Sequence, residues 1–137
     1  MARFDTSGIQ DIISQMERMG QDVGPVAEEM CVAACEEIRD AWKASAEMHG
    51  LRDTGDMIDS IGFGPAPIRE GAVLMNDVYP MGKDRKGVRN AEKAFILHYG
   101  TTRKKATYWV DDADRMSAEP VQNRIEEIWN RFLSEGG

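Results

Sequence analysis

Two histidines and two cysteines are all the imidazoles and thiols in this chain of 137 residues. Cys31 and Cys35 stand four apart, which on a helix puts both on one face. A structural zinc takes four ligands, and His49 and His98 fall in no ligand spacing with the pair. The expected role of both thiols is that of small buried helix residues, and no metal or other cofactor is expected. The Gly-x-Ser-x-Gly turn of serine hydrolases and the Gly-x-x-x-x-Gly-Lys phosphate loop are both missing. His98 with Asp111 or Asp112 as an orienting acid is the best catalytic candidate, yet no nucleophile lies near it, so the chain is not expected to be an enzyme. Long apolar runs are also missing. No stretch approaches the roughly 18 apolar residues of a membrane span, and Met1-Ala2-Arg3-Phe4-Asp5 begins no signal peptide. The expected place of the protein is the cytosol that makes it, unless it travels inside an assembly.

What is present is an ordinary folding composition, 42% hydrophobic and 30% charged, and a length that suits one core. Residues 1–137 are therefore expected to form a single domain. The net charge of −7 is unevenly distributed. Residues 1–82 carry 6 basic and 15 acidic side chains, residues 83–107 carry 8 and 2, and residues 108–137 carry 3 and 7. An acidic body repels nucleic acid and anionic membrane, so neither a membrane nor a specific nucleic acid is an expected partner.

Hydrophobic spacing gives an α+β reading: two N-terminal helices, the second long, and a C-terminal helix, packed on a small antiparallel β-sheet. Asp5-Thr6-Ser7 caps a first helix carrying Ile9, Ile12, Ile13, Met16 and Met19. Gly24-Pro25 opens the second, with Val26, Met30, Ala33 or Ala34, Ile38, Ala41, Trp42 and Ser45 on its apolar face and its end at His49-Gly50. Its many alanines permit close approach, and the Ile38 and Trp42 face is expected to lie on the sheet. Thr54 is placed to cap a short turn whose Met57, Ile58 and Ile61 point inward, and an entering strand follows at Ser60 to Gly64. Pro65 and Pro67 then favour an edge or a loop. A turn at Glu70-Gly71 leads into one strand from Ala72 to Tyr79, and with the segment before the turn it reads as an antiparallel hairpin. Residues 80–90 read as a flexible loop, rich in cations and turn formers. The apolar run Ala94-Phe95-Ile96-Leu97 is expected to be buried, as helix or strand. Asp111 to Asp114 starts the last helical region, which Glu119-Pro120 breaks or restarts before the stripe Val121, Ile125, Ile128, Trp129, Phe132 and Leu133.

The cations Lys83, Arg85, Lys86, Arg89, Lys93, Arg103, Lys104 and Lys105 form the candidate partner-binding set. They read as a solvated loop, as an acid-seeking contact with a neighbouring subunit, or as a nucleic-acid-binding accessory module.

Three boxes occur in order along the chain. Asp53-Thr54-Gly55-Asp56-Met57-Ile58-Asp59-Ser60-Ile61 resembles a Thr-Gly-x-Leu-x-x-Ser-Ile box, and Ala94 to Thr101 resembles an Ala-x-x-Val-Glu-Tyr-Gly-Thr box. Tyr108-Trp109-Val110-Asp111-Asp112-Ala113 resembles a Pro-Phe-Leu-x-Pro-Ala box with its closing helix, although His98, Trp109 and Asp112 depart from the pattern. Over roughly residues 7 to 134 the series is similar to the tail-component family of long-tailed bacteriophages named for the tenth gene product of a lambdoid phage, whose members are head–tail joining or tail-completion proteins. The resemblance implies a non-enzymatic virion protein of a phage or prophage, made in the bacterial cytoplasm and placed at the neck. It would act as a homo-oligomeric ring, often six-fold, between the connector and the tail tube. A ring subunit needs two unlike patches that meet head to tail, and the charge separation supplies them.

Overall fold

The computed structural model describes residues 2–3, 24–70 and 73–135. The expected helix from Ile9 to Met19 and the Gly71 part of the expected turn lie outside the described residues. In chain order the elements are β1 (Ala2–Arg3), α1 (Gly24–Met48), α2 (Asp56–Asp59), β2 (Ile61–Phe63), β3 (Ile68–Glu70), β4 (Val73–Met75), β5 (Asp77–Pro80), α3 (Asn90–Tyr99) and α4 (Trp109–Ser134). The fold is mixed α+β, with four helices and two small antiparallel sheets among the described residues. One sheet has the order β1-β5-β2, and the other pairs β3 with β4.

α1 ends where the sequence places its end. The amides of His49, Gly50 and Leu51 donate to Ser45, Glu47 and Ala46, which satisfies carbonyls the helix would otherwise leave unpaired. Val26, Met30, Ala33, Ala34, Ile38, Ala41, Trp42 and Ser45 are all buried, as the three- and four-residue spacing requires. Over its length α1 packs chiefly on α4, while the part of its face with Ile38 and Trp42 shares a core cluster with Ile61 of β2 and Val78 of β5, so this face meets the sheet as expected and α4 as well. The two helices run antiparallel: Glu29 pairs with Arg131, Glu36 and Glu37 with Arg124, and Ser45 Oγ donates to the carbonyl of Trp109 at 2.6 Å. Alanines at the seam allow that approach. Trp42 and Trp109 then meet edge to face, with ring centroids 5.2 Å apart. Val78, Ile61 and Ala94 complete this part of the core, while Val26, Ala27, Met30, Leu74, Ile125 and Ile128 form a second cluster nearer the far end of α4.

The strand expected from Ala72 to Tyr79 is divided at Asn76, with β4 in one sheet and β5 in the other. The cause is a side-chain clamp. Asn76 Oδ1 accepts the amides of Gly64 at 3.1 Å and Asp77 at 2.9 Å, and its Nδ2 donates to the Gly64 carbonyl at 3.0 Å. A side chain that takes over backbone partners competes with the ladder, so pairing switches there. The hairpin nevertheless forms, in the register Ile68↔Met75, and β2 lies against β5 with Phe63↔Val78.

α4 is continuous through Pro120, which corrects the expected break. Proline removes one amide donor from a long helix whose inner face is anchored on both sides of it by Ser117 and Ile125. Packing against α1 therefore holds the helix where propensity alone would end it.

Candidate interaction surface

α3 and the segment after it carry four of the eight large apolar side chains that are exposed among the described residues; Met48, Ile68, Val88 and Leu133 are scattered elsewhere along the sequence. A helix turns 100° per residue, so four successive apolar residues cannot share one face. Ala94 is buried and Leu97 half-buried, whereas Phe95 is 63% exposed, Ile96 37% and Tyr99 58%. The expectation that the whole run is buried is thus corrected. Gly100, with φ 78°, ends α3 by donating its amide to Ile96 O at 2.8 Å. The chain then folds back along the helix end: the Thr107 hydroxyl donates to Leu97 O at 2.7 Å and the Tyr108 amide to His98 O at 3.1 Å. This return sets Tyr108, 52% exposed, beside His98, which also touches Tyr99 edge to face. Phe95 and Tyr99 lie 4.7 Å apart between centroids, Ile96 is their neighbour on α3, and Tyr99 and Tyr108 both touch His98, so these four outward side chains lie around the C-terminal half of α3.

Arg103, Lys104 and Lys105 sit in the return loop, all exposed. The Thr101 hydroxyl accepts the amides of Arg103 and Lys104, and the Thr101 amide donates to Lys104 O, so a tight turn holds the three cations at the end of α3. Lys93 and Lys104 both line a groove of about 510 Å³ together with Leu51, Ile58, Ile96 and Leu97. The two basic stretches of the sequence therefore meet along α3.

Of residues 80–90, which the sequence suggests as a flexible loop, Pro80 ends β5, Asn90 begins α3, and the stretch between them forms a turn closed by a Lys83↔Arg89 bridge. Asp84 Oδ1 accepts the amides of Lys86 and Val88, each at 2.9 Å, and Oδ2 meets Lys93 Nζ at 2.6 Å. Arg85 grips Asp56 of α2 through both carboxylate oxygens, at 2.9 and 2.7 Å. Arg85 thereby holds the Asp56 carboxyl well below the usual carboxylate range, and Lys93 and then the Val88 amide lower that of Asp84. Of the eight sequence-predicted cations, Arg85 and Lys93 are spent on the protein's own carboxylates. Lys83, Lys86, Arg89, Arg103, Lys104 and Lys105 make no ion pair among the described residues. The arginines of the long helices contrast with them, since Arg39, Arg115, Arg124 and Arg131 are each paired with a carboxylate.

The histidines hold helix ends. His98 Nδ1 accepts the Val110 amide at 3.3 Å, capping the first turn of α4, and its Nε2 lies 3.9 Å from Asp111. His49, just past the end of α1, meets Asp112 at 2.7 Å; His49 and then Arg115 hold the Asp112 carboxyl below its ordinary value. This second pair joins residues 63 apart and has no signal in the sequence. Cys31 and Cys35 are fully buried, as expected, and the hydrogen bond they share, together with burial, pushes the Cys35 thiol well above its usual value. Among the described residues no group of three or more His, Cys, Asp or Glu is arranged to hold a metal ion, and no helix is long and apolar enough to cross a membrane. No protein-family model, curated protein or solved structure matches the chain.

Proposed function

We propose that the chain is a structural protein of a phage or prophage virion, placed at the head–tail interface, where it completes the neck or tail through contacts between copies and with the connector and tail-tube proteins. The observation that carries this reading is the set of outward side chains Phe95, Ile96, Tyr99 and Tyr108 near the cations Arg103, Lys104 and Lys105, which make no ion pair among the described residues. A folded protein that leaves four large apolar side chains together in water gains by covering them, and adjacent cations select what covers them. The three boxes of the sequence support the same reading. Asp53, Thr54, Met57 and Ile58 of the first box line the groove with Ile96 and Leu97 of the second, and the third turns the chain into α4 with Trp109 and Ala113 in the core. His98 and His49 are engaged in holding helix ends, which fits a role by contact rather than catalysis.

Deletion of the gene from the phage or prophage is expected to yield separate filled heads and tails in the electron microscope, with joining restored by the intact gene in trans. Joined, infectious particles from the deletion would falsify the proposal. A nucleic-acid-binding accessory module is the second reading, favoured by the position of Tyr99 and Tyr108 beside the cations, since exposed rings and positive charge together bind single strands. It requires binding that falls steeply with salt.

A further inference from the structure

The apolar and basic face on α3 has a counterpart elsewhere on the same chain. Along α4 the residues Glu119, Gln122, Glu126, Trp129 and Leu133 recur at three- and four-residue steps and so form one stripe. Glu119, Gln122 and Glu126 are exposed, Trp129 is half-buried, and Leu133 is 47% exposed. Neither glutamate is paired with a cation among the described residues; Glu126 accepts a hydrogen bond from Gln122 at 2.9 Å. This differs from the flank of α4 facing α1, where Arg124 and Arg131 neutralise the α1 glutamates. The stripe is thus acidic at one end and apolar at the other, where Trp129 also stacks on Phe132, and it is opposite in sign and alike in apolar kind to the surface formed by Phe95, Ile96, Tyr99, Tyr108 and the 103–105 cations.

We propose that the two surfaces are partners: the α4 stripe of one copy lies on the α3 face of a second copy, its glutamates toward Arg103 to Lys105 and its Trp129 and Leu133 against the aromatic face. The contact joins unlike patches, so it repeats head to tail and closes into a ring or extends as a filament. The recognition mode is that of an amphipathic helix laid against an apolar helix face, with charges fixing direction. This contact rests on the joining role proposed above and names the surfaces that carry it. The fixed conformation of Tyr108 is consistent with it. Its φ of 53° is left-handed, a region side chains disfavour, yet the ring is held outward here.

A charge-swap experiment tests the contact on the full chain. One variant carries Arg103→Glu, Lys104→Glu and Lys105→Glu; the other carries Glu119→Lys and Glu126→Lys. The wild-type chain is expected to associate with rising concentration in sedimentation velocity at low salt. Each variant alone should associate at least about tenfold more weakly, with an unchanged circular dichroism spectrum and melting temperature. An equimolar mixture should regain association, because each variant then offers the sign the other needs. The proposal is overturned by a wild-type chain that stays monomeric throughout, by variants that associate like wild type, or by a mixture that stays monomeric. It is equally overturned by a monomer that retains a single-stranded oligonucleotide through Arg103 to Lys105. Mass spectrometry of purified particles separates the two levels. A chain present in particles whose variants associate normally keeps the joining role and loses this contact, whereas a chain absent from particles removes both.

Discussion

Gly100 combines φ 78° with ψ −178°, a backbone region open essentially to glycine alone. A Cβ there would stand 2.6 Å from Ala106 N and 2.7 Å from Lys104 O, both backbone atoms that cannot rotate away. Gly100→Ala is therefore expected to destabilise the protein by about 3 kcal/mol or more, and to do so by displacing the 101–107 return. Chemical denaturation measures the first effect, and loss of amide exchange protection at Thr107 and Tyr108 the second; a variant as stable as wild type contradicts both. Asn76 makes the same kind of demand with a side chain. Asn76→Ala strips partners from the Gly64 amide and carbonyl and the Asp77 amide, so a loss of about 2 kcal/mol is expected in urea titration, whereas an effect below about 0.5 kcal/mol would mean that water replaces the clamp freely.

For whole elements, what the sequence made legible depended on whether periodicity or a long-range contact decided the outcome. α1 was legible from Gly24 to Met48 because its apolar spacing, opening proline and closing glycine all agree. The hairpin was legible as a pair but not as two separate strands, since the partner of Asn76 lies 12 residues away. The candidate surface was half legible. Its cations announce themselves as a charge run, but the outward set of Phe95, Ile96 and Tyr99 emerges only once residues 92–99 are placed on a helix. Read as a strand, the same run would send alternate residues inward and give a different surface. Pro120 is the opposite case, in which local propensity pointed to a break and the contact of α4 with α1 outweighed it. Pro120→Ala returns an amide donor to the helix at a half-buried site, so it is expected to raise stability by about 1–3 kcal/mol without altering helix content. A lowered melting temperature would show instead that the proline ring packs in a way alanine does not replace.

Across the whole molecule the charges divide into two populations. Several on α1 and α4 are engaged with one another and Asp56 of α2 with Arg85, while the cations at 83, 86, 89 and 103–105 are left outward. The engaged carboxylates make the fold sensitive to acid. Asp56, Asp84 and Asp112 each titrate below the ordinary Asp value because Arg85, Lys93 and His49 respectively favour the charged form. A carboxylate whose folded pKa is depressed contributes fully above its unfolded value, about 4, and loses that contribution as the pH falls from there toward the folded value. Asp84 isolates the effect, because its side chain is only 4% exposed and Asn at this position keeps the Oδ1 that receives the Lys86 and Val88 amides while removing the charge that faces Lys93. Asp84→Asn is thus expected to melt lower than wild type at pH 6, with the two melting temperatures converging as the pH is taken from 4 down to 2. Thermal melts across that range check it. Parallel curves, with the gap preserved into acid, would place the loss in the geometry of the turn rather than in the charge of Asp84, and would remove the ion pair with Lys93 as the cause of the depressed titration.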